Sequence, residues 1–462
     1  AEVEAATPND LVIAVNAEHD AEAALAEAEK LLDKKASAEE GAAFRPKSLR
    51  GAVKSRPEAN VAVISVAGRY AADEAWEALR RGLHVLLFSD NVSLEDEIEL
   101  KTYAKDNGLL LMGPGAGTTI LNGVALGFAN VVPAGPVGIV SAAGTGLQEV
   151  STLLAKRGVG LTQGIGVGGR DLKEAVGGLM MLASLEALQQ DPETQVIVLI
   201  SKPPAEAVTK KVLEKVGKSD KPTVICFMGS EPDLSGIENA TAAVTLQAAG
   251  LIAAKLAGAD VPDLDELLAA EAKELEAKAA ELKSKLKPSQ KYLRGLFSGG
   301  TLTYETEVIL EDMLDQPVRS NAPLKAEDQL EDSNVSVGHT VIDLGEEEFT
   351  VGRPHPMIDN DLRIRRLLKE AEDPEMAVMM MDVVIGYGAH LDPASELGPA
   401  VSQARQIAAK DDRELIVVAS VTGTEQDPQG LSAQIKQLEA AGVVVLESNA
   451  AAARLAGLLV SS

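Results

Sequence analysis

The sequence predicts an α/β protein built of parallel sheets with helices on both faces, part of it duplicated. Two observations carry this. β-branched runs alternate with helix-like runs along most of the chain, the pattern of successive βα units. The stretch "GIVSAAGTGLQEVSTLL" from Gly138 returns as "GLFSGGTLTYETEVIL" from Gly295. Aligned on Gly144-Thr145 and Gly300-Thr301, the acids Glu149 and Glu305 coincide, so one unit recurs after about 156 residues.

In the first part, "DLVIAVNA", "ANVAVISVAG", "HVLLFSD" and "GLLLMGP" read as strands. "AADEAWEALRRG" and "SLEDEIELKTYAKDNG" read as helices between them, and Ser93 followed by Asp96 and Glu97 marks a capped start with acids in the first turn. No glycine-rich fingerprint follows the first strand, which reads as a missing initial βα unit. "VVPAGP" (131–136) is a boundary. After it, "VGIVS", "IGVGG", "QVIVLIS" and "PTVICFMG" give a second run of strands. "DLDELLAAEAKELEAKAAELKSKLK" (263–287) reads as a surface linker helix. The third part repeats the second in order: "LFSGGTLTYETEV", "TVIDLGEEEFTVGRPHPMID", "MAVMMMDVVIGYG", "ELIVVASVTGTEQDP", then "GVVVLES" and a last helix.

Composition narrows the function. With 462 residues, 46% of them hydrophobic, the chain has core enough for several domains. A net charge of −27 speaks against nucleic acid as a partner, but a local site on an acidic protein can still be positive. Cys226 is the only cysteine, which excludes a disulfide framework, and its strand-like neighbours make it a core thiol. No apolar run reaches the roughly 18 residues of a membrane span, and no signal-peptide pattern opens the chain, so no membrane partner and a cytoplasmic location are expected. Five scattered histidines offer no ligand spacing, so no metal is expected; His19, His84 and His339 read as structural or surface residues.

The duplicated motif points to anion chemistry. A strand that ends in Ser-small-Gly-Thr and opens a helix presents unpaired N–H groups and the positive end of a helix dipole. Such loops lie at the carboxyl ends of strands, where open α/β sheets bind ligands. Ser141, Gly144 and Thr145 in one copy and Ser298, Gly299, Gly300 and Thr301 in the other are therefore candidate phosphate-binding residues, and two facing helix ends would hold one phosphate between them. Neither copy has the lysine of a nucleotide P-loop. "VGRPHPMID" sets Arg353 and His355 on a proline-stiffened loop, an anion fork and a proton-transfer group. "GVGGRDL" offers Gly169 and Arg170 at the matching place in the earlier repeat, and Lys202 ends the strand before "PPAEAV", with His390 and Asp392 in the equivalent later region.

Together, "GIVSAAGTGLQE", "GLFSGGTLTYE", "SDNVSLEDEI", "GVGGRDL", "SKPPAEAV", "VGRPHPMID" and "DVVIGYGAHLDPA" resemble the FdrA family, a branch related to succinyl-CoA synthetase, over nearly the whole chain. The resemblance implies a Rossmann-like CoA-binding-type domain followed by two flavodoxin-like ligase domains: 1–132, 133–260 and, after a linker helix at 261–293, 294–462. It also implies that the two Gly-Thr helix starts face each other across a phosphate. The synthetases carry a phosphorylated histidine after the last strand of the first ligase domain; here "MGSEPDLSGIENATAA" has none, and the chain has no ATP-grasp module. Gly115-Ala116 stand where relatives often show Asp-Cys. The resemblance therefore implies a subunit of an oxamate carbamoyltransferase, taking oxalurate and phosphate to oxamate and carbamoyl phosphate in allantoin (purine) breakdown. Phosphate and carbamoyl phosphate would be its substrates, CoA a second candidate ligand, and other subunits its partners in a homo- or hetero-oligomer. Arg353, Arg170 and His355 would be catalytic. The alternatives are an acyl-CoA synthetase subunit that needs an ATP-binding partner, and a structural or regulatory subunit that keeps an anion site.

Overall fold

The computed structural model describes residues 46–461 together with 22, 23, 25–27 and 30; the "DLVIAVNA" strand and His19 lie outside the described residues. Residues 1–58 form a unit of their own, in which the Ser48 hydroxyl caps helix α1 (Leu49–Ser55) by accepting from Gly51 N–H. Residues 59–462 form the second unit.

This second unit holds three sheets. The first alternates β1 (Val61–Ile64), α2 (Gly68–Leu79), β2 (His84–Leu87), α3 (Leu94–Asp106) and β3 (Leu111–Met112), with the strands parallel in the order β1-β2-β3. The start of α3 is as the sequence predicts: Ser93 accepts from Asp96 N–H at 3.0 Å. The hairpin β4 (Thr118–Leu121) and β5 (Val124–Gly127) then forms the antiparallel edge of the second sheet.

That sheet continues with β6 (Ala134–Ser141), α4 (Gly144–Lys156), β7 (Leu161–Gly166), α5 (Leu179–Gln190), β8 (Val196–Ser201), α6 (Glu206–Val216), β9 (Thr223–Phe227), β10 (Ala240–Ala242) and α7 (Leu246–Leu256). Helix α8 (Leu264–Lys283) leads to the third sheet: β11 (Tyr292–Phe297), α9 (Gly300–Met313), β12 (Val318–Ser320), β13 (His339–Asp343), α10 (Glu347–Thr350), α11 (Asp361–Glu370), β14 (Met376–Val384), α12 (Pro393–Ala409), β15 (Ile416–Thr422), α13 (Leu431–Ala440), β16 (Val443–Leu446) and α14 (Asn449–Val460). Strand order is β10-β9-β8-β6-β7-β4-β5 in one and β12-β13-β11-β14-β15-β16 in the other. Counted from β6, and from β11 with the edge strand β12 set aside, both contain the flavodoxin-like order 2-1-3-4-5, so the internal repeat is a repeat of topology.

Central strands such as β14, β15 and β8 are buried at every residue, which explains why they read as unbroken apolar runs. One core runs through both repeats, made by Leu147 and Val150 of α4, Ala249 of α7, Leu302 and Leu310 of α9 and Leu455 of α14. Helix α8 buries Leu275 and Ala279 in it, and its Leu264, Leu267 and Leu282 pack against it.

The two coincident acids have an unforeseen job. Glu149 on α4 accepts from Asn449 N–H at 3.0 Å, at the first residue of α14 in the other repeat. Glu305 on α9 accepts from Leu246 N–H at 2.6 Å, at the first residue of α7. Each repeat thus caps a helix of its counterpart with a buried carboxylate, satisfying orphan donors and favourable to the dipole. The two acids are tied through one residue, because the Asn449 side-chain amide also donates to Glu305, at 2.8 Å. Burial pushes the Glu305 carboxyl up to about 7, and the neighbouring Glu149 adds to the rise.

Glu149→Ala and Glu305→Ala are each expected to cost about 1–3 kcal/mol, the toll of orphaned buried donors. Because both acids meet at Asn449, the double variant should lose less or more than the sum by at least about 0.5 kcal/mol. Urea melts of the four proteins check this; strict additivity would show that the two caps act separately.

Candidate functional site

Both repeats turn their β-to-α loops toward each other. A side chain added at Gly299 would lie 2.6 Å from Thr145 Cγ2, and one added at Gly146 would lie 3.0 Å from Thr301 Cγ2. The starts of α4 and α9 therefore touch, and Thr145 and Thr301 are buried between them at 6% and 5% exposure. This is the facing arrangement expected from the sequence, with the threonines at the contact and no room for a side chain at Gly299 while Thr145 stands opposite.

The two turns differ in what occupies them. In the first, the Ser141 hydroxyl stays local, accepting from Ala143 N–H at 3.1 Å and donating to its carbonyl at 2.7 Å. Gly144 opens α4 beside Thr118, and Gly169 lies exposed near the Ala142 carbonyl. In the second, the Ser298 N–H and hydroxyl both donate to Asp382, at 2.8 and 3.0 Å, and Asp382 is held in turn by Arg363. Asp343 stands against Gly300, its Oδ2 only 2.4 Å from where a side chain there would begin, while its Oδ1 accepts from Gly345 N–H. By strand register, Ile200 and Gly166 of the first repeat stand where Asp382 and Asp343 stand in the second. Buried acids therefore line only the α9 start.

Lys202 crosses from the first repeat to this acidic side. Its Nζ comes within 4.0 Å of the same point on Gly300 and lies 5.3 Å from the centre of the Tyr304 ring. Among the described residues it finds no hydrogen-bond acceptor and no ion-pair partner. Near it lies Glu307, on the face of α9 that Gly300 begins, 2% exposed and with neither carboxylate oxygen hydrogen-bonded. Burial pushes Glu307 up to about 8, with the nearby Ser320 hydroxyl and Lys202 pulling it down and Asp343 and Asp328 pushing it up. Burial also pushes Asp343 up to about 7, with Glu346 adding and Lys202 opposing. Sequence reasoning missed Glu307, Asp343 and Asp382, because acids on a helix or at a strand end are commonplace. The register of Asp343 and Asp382 against apolar residues of the first repeat was the available signal.

His355 sits beside this cluster. Its Nε2 is 2.8 Å from where a side chain on Gly345 would begin, and its ring lies 5.4 Å from that of Phe128, which meets Phe88 at 5.5 Å. Phe88 follows β2, so the carboxyl end of the first sheet is drawn to the same place as those of the other two. Burial, aided by Arg363, lowers the His355 pKa to about 4, and Nδ1 accepts from Met357 N–H. The imidazole is thus neutral around neutral pH with its proton on Nε2, a hydrogen-bond donor, which differs from the expectation of a group exchanging its proton near neutrality. Arg353, two residues away, is exposed and unpaired among the described residues; it borders a cavity of about 250 Å³ with Leu344, Phe349, Pro356 and Leu362.

Arg170 is placed otherwise than the sequence suggested. It donates to Glu97 at 2.8 Å and to the Val92 carbonyl at 2.8 Å, and so joins a network with Lys101 and Asp171. Lys101 is fully buried between Glu97 and Asp171, and Asp171 caps α5 by accepting from Met180 and Met181 N–H. The "GVGGRDL" segment is pinned to α3, and its arginine is spent on neutralising buried acids. His390 pairs with Glu396 at 3.3 Å, and His84 and His339 each accept a strand N–H. Cys226 is buried, which raises its thiol well above the ordinary range. Among the described residues no three acids, histidines or cysteines could hold a metal, and no helix is long and apolar enough to cross a membrane.

Three sheets converging on a facing pair of helix starts define a class. The CoA-ligase family pattern fits residues 296–459, and the CoA-binding-domain pattern fits 134–229. The chain is 45% identical to YahF of Escherichia coli K12, an uncharacterized protein, over 97% of this chain and 86% of that one. It belongs to that protein's family, a succinyl-CoA synthetase-like family with CoA-binding and CoA-ligase domains. It is 27% identical to the succinate–CoA ligase [ADP-forming] subunit alpha of Methanothermobacter thermautotrophicus, over 37% of this chain and 58% of that subunit. It is also 27% identical to SauD, a subunit of the ADP-forming sulfoacetate-CoA ligase of Bilophila wadsworthia, over 43% of this chain and 69% of that one. These relatives overturn the expectation of a carbamoyltransferase: they are CoA ligases. The physical reason for the miss is that helix starts which hold phosphate serve any acyl transfer to or from phosphate.

Since the unfolded Glu307 carboxyl ionises near 4.5, the folded protein keeps a proton that the unfolded chain loses between about pH 4.5 and 8. Its contribution to stability is full below that window and is lost as pH rises through it. Glu307→Gln is expected to flatten this decline and to stabilise the protein at pH 8 by roughly 1–3 kcal/mol. Melting temperatures across the window check it; parallel curves for parent and variant would contradict it.

Proposed function

We propose that the chain is the acyl-transfer core of an acyl-CoA ligase, completed by a separate ATP-binding chain. One observation carries this reading: the CoA-binding and CoA-ligase patterns fall one on each repeat, and the repeats meet at the two Gly-Thr turns. The division into residues 1–132, 133–260, 261–293 and 294–462, and the finer kinship with FdrA, belong to this proposal.

In this reading an acyl group passes between phosphate and CoA. CoA, when bound, supplies the thiol that takes the acyl group while the bond from the acyl carbon to phosphate oxygen breaks. The chain's own residues do the rest. Lys202 and the start of α9 at Gly300 and Thr301 hold the departing phosphate, with the α4 start at Gly144 and Thr145 closing the other side; donors placed where charge develops contribute most. Arg353 takes a carboxylate or sulfonate on the acyl group, with Leu344 and Phe349 flanking its carbon chain. His355, neutral with Nδ1 engaged by Met357 N–H, offers its Nε2–H to the acyl oxygen, and the thiol proton leaves with the phosphate.

CoA suits the carboxyl end of the first sheet. There Arg69 lies 4.8 Å over the Tyr70 ring at the start of α2, and Val66 and Tyr70 are exposed at 44% and 55%. A guanidinium, an aromatic face and a helix start match the phosphates and adenine of that ligand. With no histidine between Met228 and Gln247, the reading calls for no phosphohistidine in that loop.

Arsenolysis tests the reading without a partner chain. Arsenate replaces phosphate, the acyl arsenate hydrolyses, and free CoA is counted with a thiol reagent. Arsenate-dependent CoA release is expected from at least one thioester in a panel of acetyl-, succinyl- and sulfoacetyl-CoA. Lys202→Ala should slow it at least about ten-fold, and Arg353→Ala should lose about 1.5–3 kcal/mol with an anionic acyl group only. No release from any thioester, together with no CoA binding, would sink the reading.

A further inference from the structure

We propose that Asp343 and Glu307 are resident anions of the α9 start, so that a phosphate-class oxyanion binds beside Lys202 only together with a proton taken up by this carboxyl pair. The inference rests on the anion role given above to Lys202 and the α9 start, and adds how that site is controlled.

The geometry makes the case. Lys202 and Asp343 approach the same point on Gly300 from different repeats, yet they form no ion pair. Glu307 faces the pair from α9 with both oxygens unsatisfied at 2% exposure, a state a buried carboxylate does not tolerate without a proton or a counter-charge. The charged and titratable groups here are Lys202 after β8, Glu307 and Tyr304 on α9, Asp328 after β12, Asp343 and Glu346 at and beyond the end of β13, and His355 on the proline loop. Asp382 on β14 is neutralised by Arg363 of α11. Among the described residues, Lys202 is the unpaired cation set against Asp343, Glu307, Asp328 and Glu346, while Lys325, which faces Asp328, is paired with Glu311. An oxyanion added to ionised carboxylates would meet like charge in a desolvated site. Protonating Asp343 or Glu307 removes that repulsion and turns an acceptor into a donor toward the incoming oxygen. Both carboxyls lie in the range where this costs little near neutral pH, at about 7 and about 8. His355 stays neutral throughout and Tyr304 stays protonated, so neither supplies the proton dependence.

The test uses sulfate, which keeps its charge from pH 6 to 9, so that any proton taken up belongs to the protein. The full chain is titrated with sodium sulfate by calorimetry near pH 7.5 in buffers of different ionisation heat, and again at pH 6 and pH 8.5. Uptake of close to one proton per sulfate is expected, with affinity falling by roughly ten-fold or more from pH 6 to pH 8.5. Lys202→Ala should abolish binding. Asp343→Asn with Glu307→Gln should bind sulfate with no proton uptake and equal affinity at both pH values. Glu305→Gln, altered at the repeat contact instead, should keep the parent's dependence. Sulfate binding that needs Lys202 but takes up no proton would overturn the inference and leave the anion site standing. No binding at any pH would overturn both.

Discussion

The structure turns on an arrangement that electrostatics opposes: two helix N-termini meeting end to end. Each carries about half a positive charge on its unpaired N–H groups, and at contact distance they repel. The contact of Thr145 with Gly299 and of Thr301 with Gly146 therefore depends on negative charge nearby. Both repeats supply it, the second most of it. Asp382 takes the Ser298 donors, Asp343 stands against Gly300, and Glu149 and Glu305 lie one turn along the two helices. The rest follows as compensation. Arg363 is buried to hold Asp382, and Asn449 ties Glu149 to Glu305.

The same balance makes the place suited to ligand chemistry. Two dipole ends attract an oxyanion, and the resident acids keep that attraction from being indiscriminate. The duplication supplied two equivalent turns, and the acids made them unequal, since Ile200 and Gly166 leave the first turn without side-chain carboxylates. Lys202 restores a positive charge on the acidic side from the opposite repeat, so the site exists only when both repeats are in place. The Phe88–Phe128–His355 row brings the first sheet to the same point, where a thiol ligand held at Arg69 and Tyr70 would have to deliver its reactive end.

Much of the fold was legible in the sequence, because βα alternation and a repeat survive translation into strands almost unchanged. The echo of Gly144-Thr145 in Gly300-Thr301 gave both facing turns, and Ser93 gave a cap. The site was less legible. Arg170 and Arg353 look alike in "GGRDL" and "VGRPHP", yet one is consumed by Glu97 and the other has no ion-pair partner among the described residues. Which arginine is spent depends on α3, whose position no local string encodes. Glu149 and Glu305 were visible as coincident acids, but their partners Asn449 and Leu246 lie hundreds or tens of residues away. Reaction class was not legible at all from the turns, because holding a phosphate is common to carbamoyl and acyl transfer; the relatives, which are CoA ligases, speak against the first.

The meeting of the two helix starts is open to a direct chemical test. Cysteines at Thr145→Cys and Gly299→Cys would stand close to the Cβ separation of about 3.8 Å that a disulfide needs, since a side chain on Gly299 would begin 3.0 Å from Thr145 Cβ. The buried Cys226 stays out of reach of oxidant. Mild oxidation followed by peptide mass mapping should find one intramolecular bridge joining the "GTGLQE" and "SGGTL" peptides. Free thiols at both positions in the folded protein would mean that the helix starts do not meet, and would contradict the account at its root.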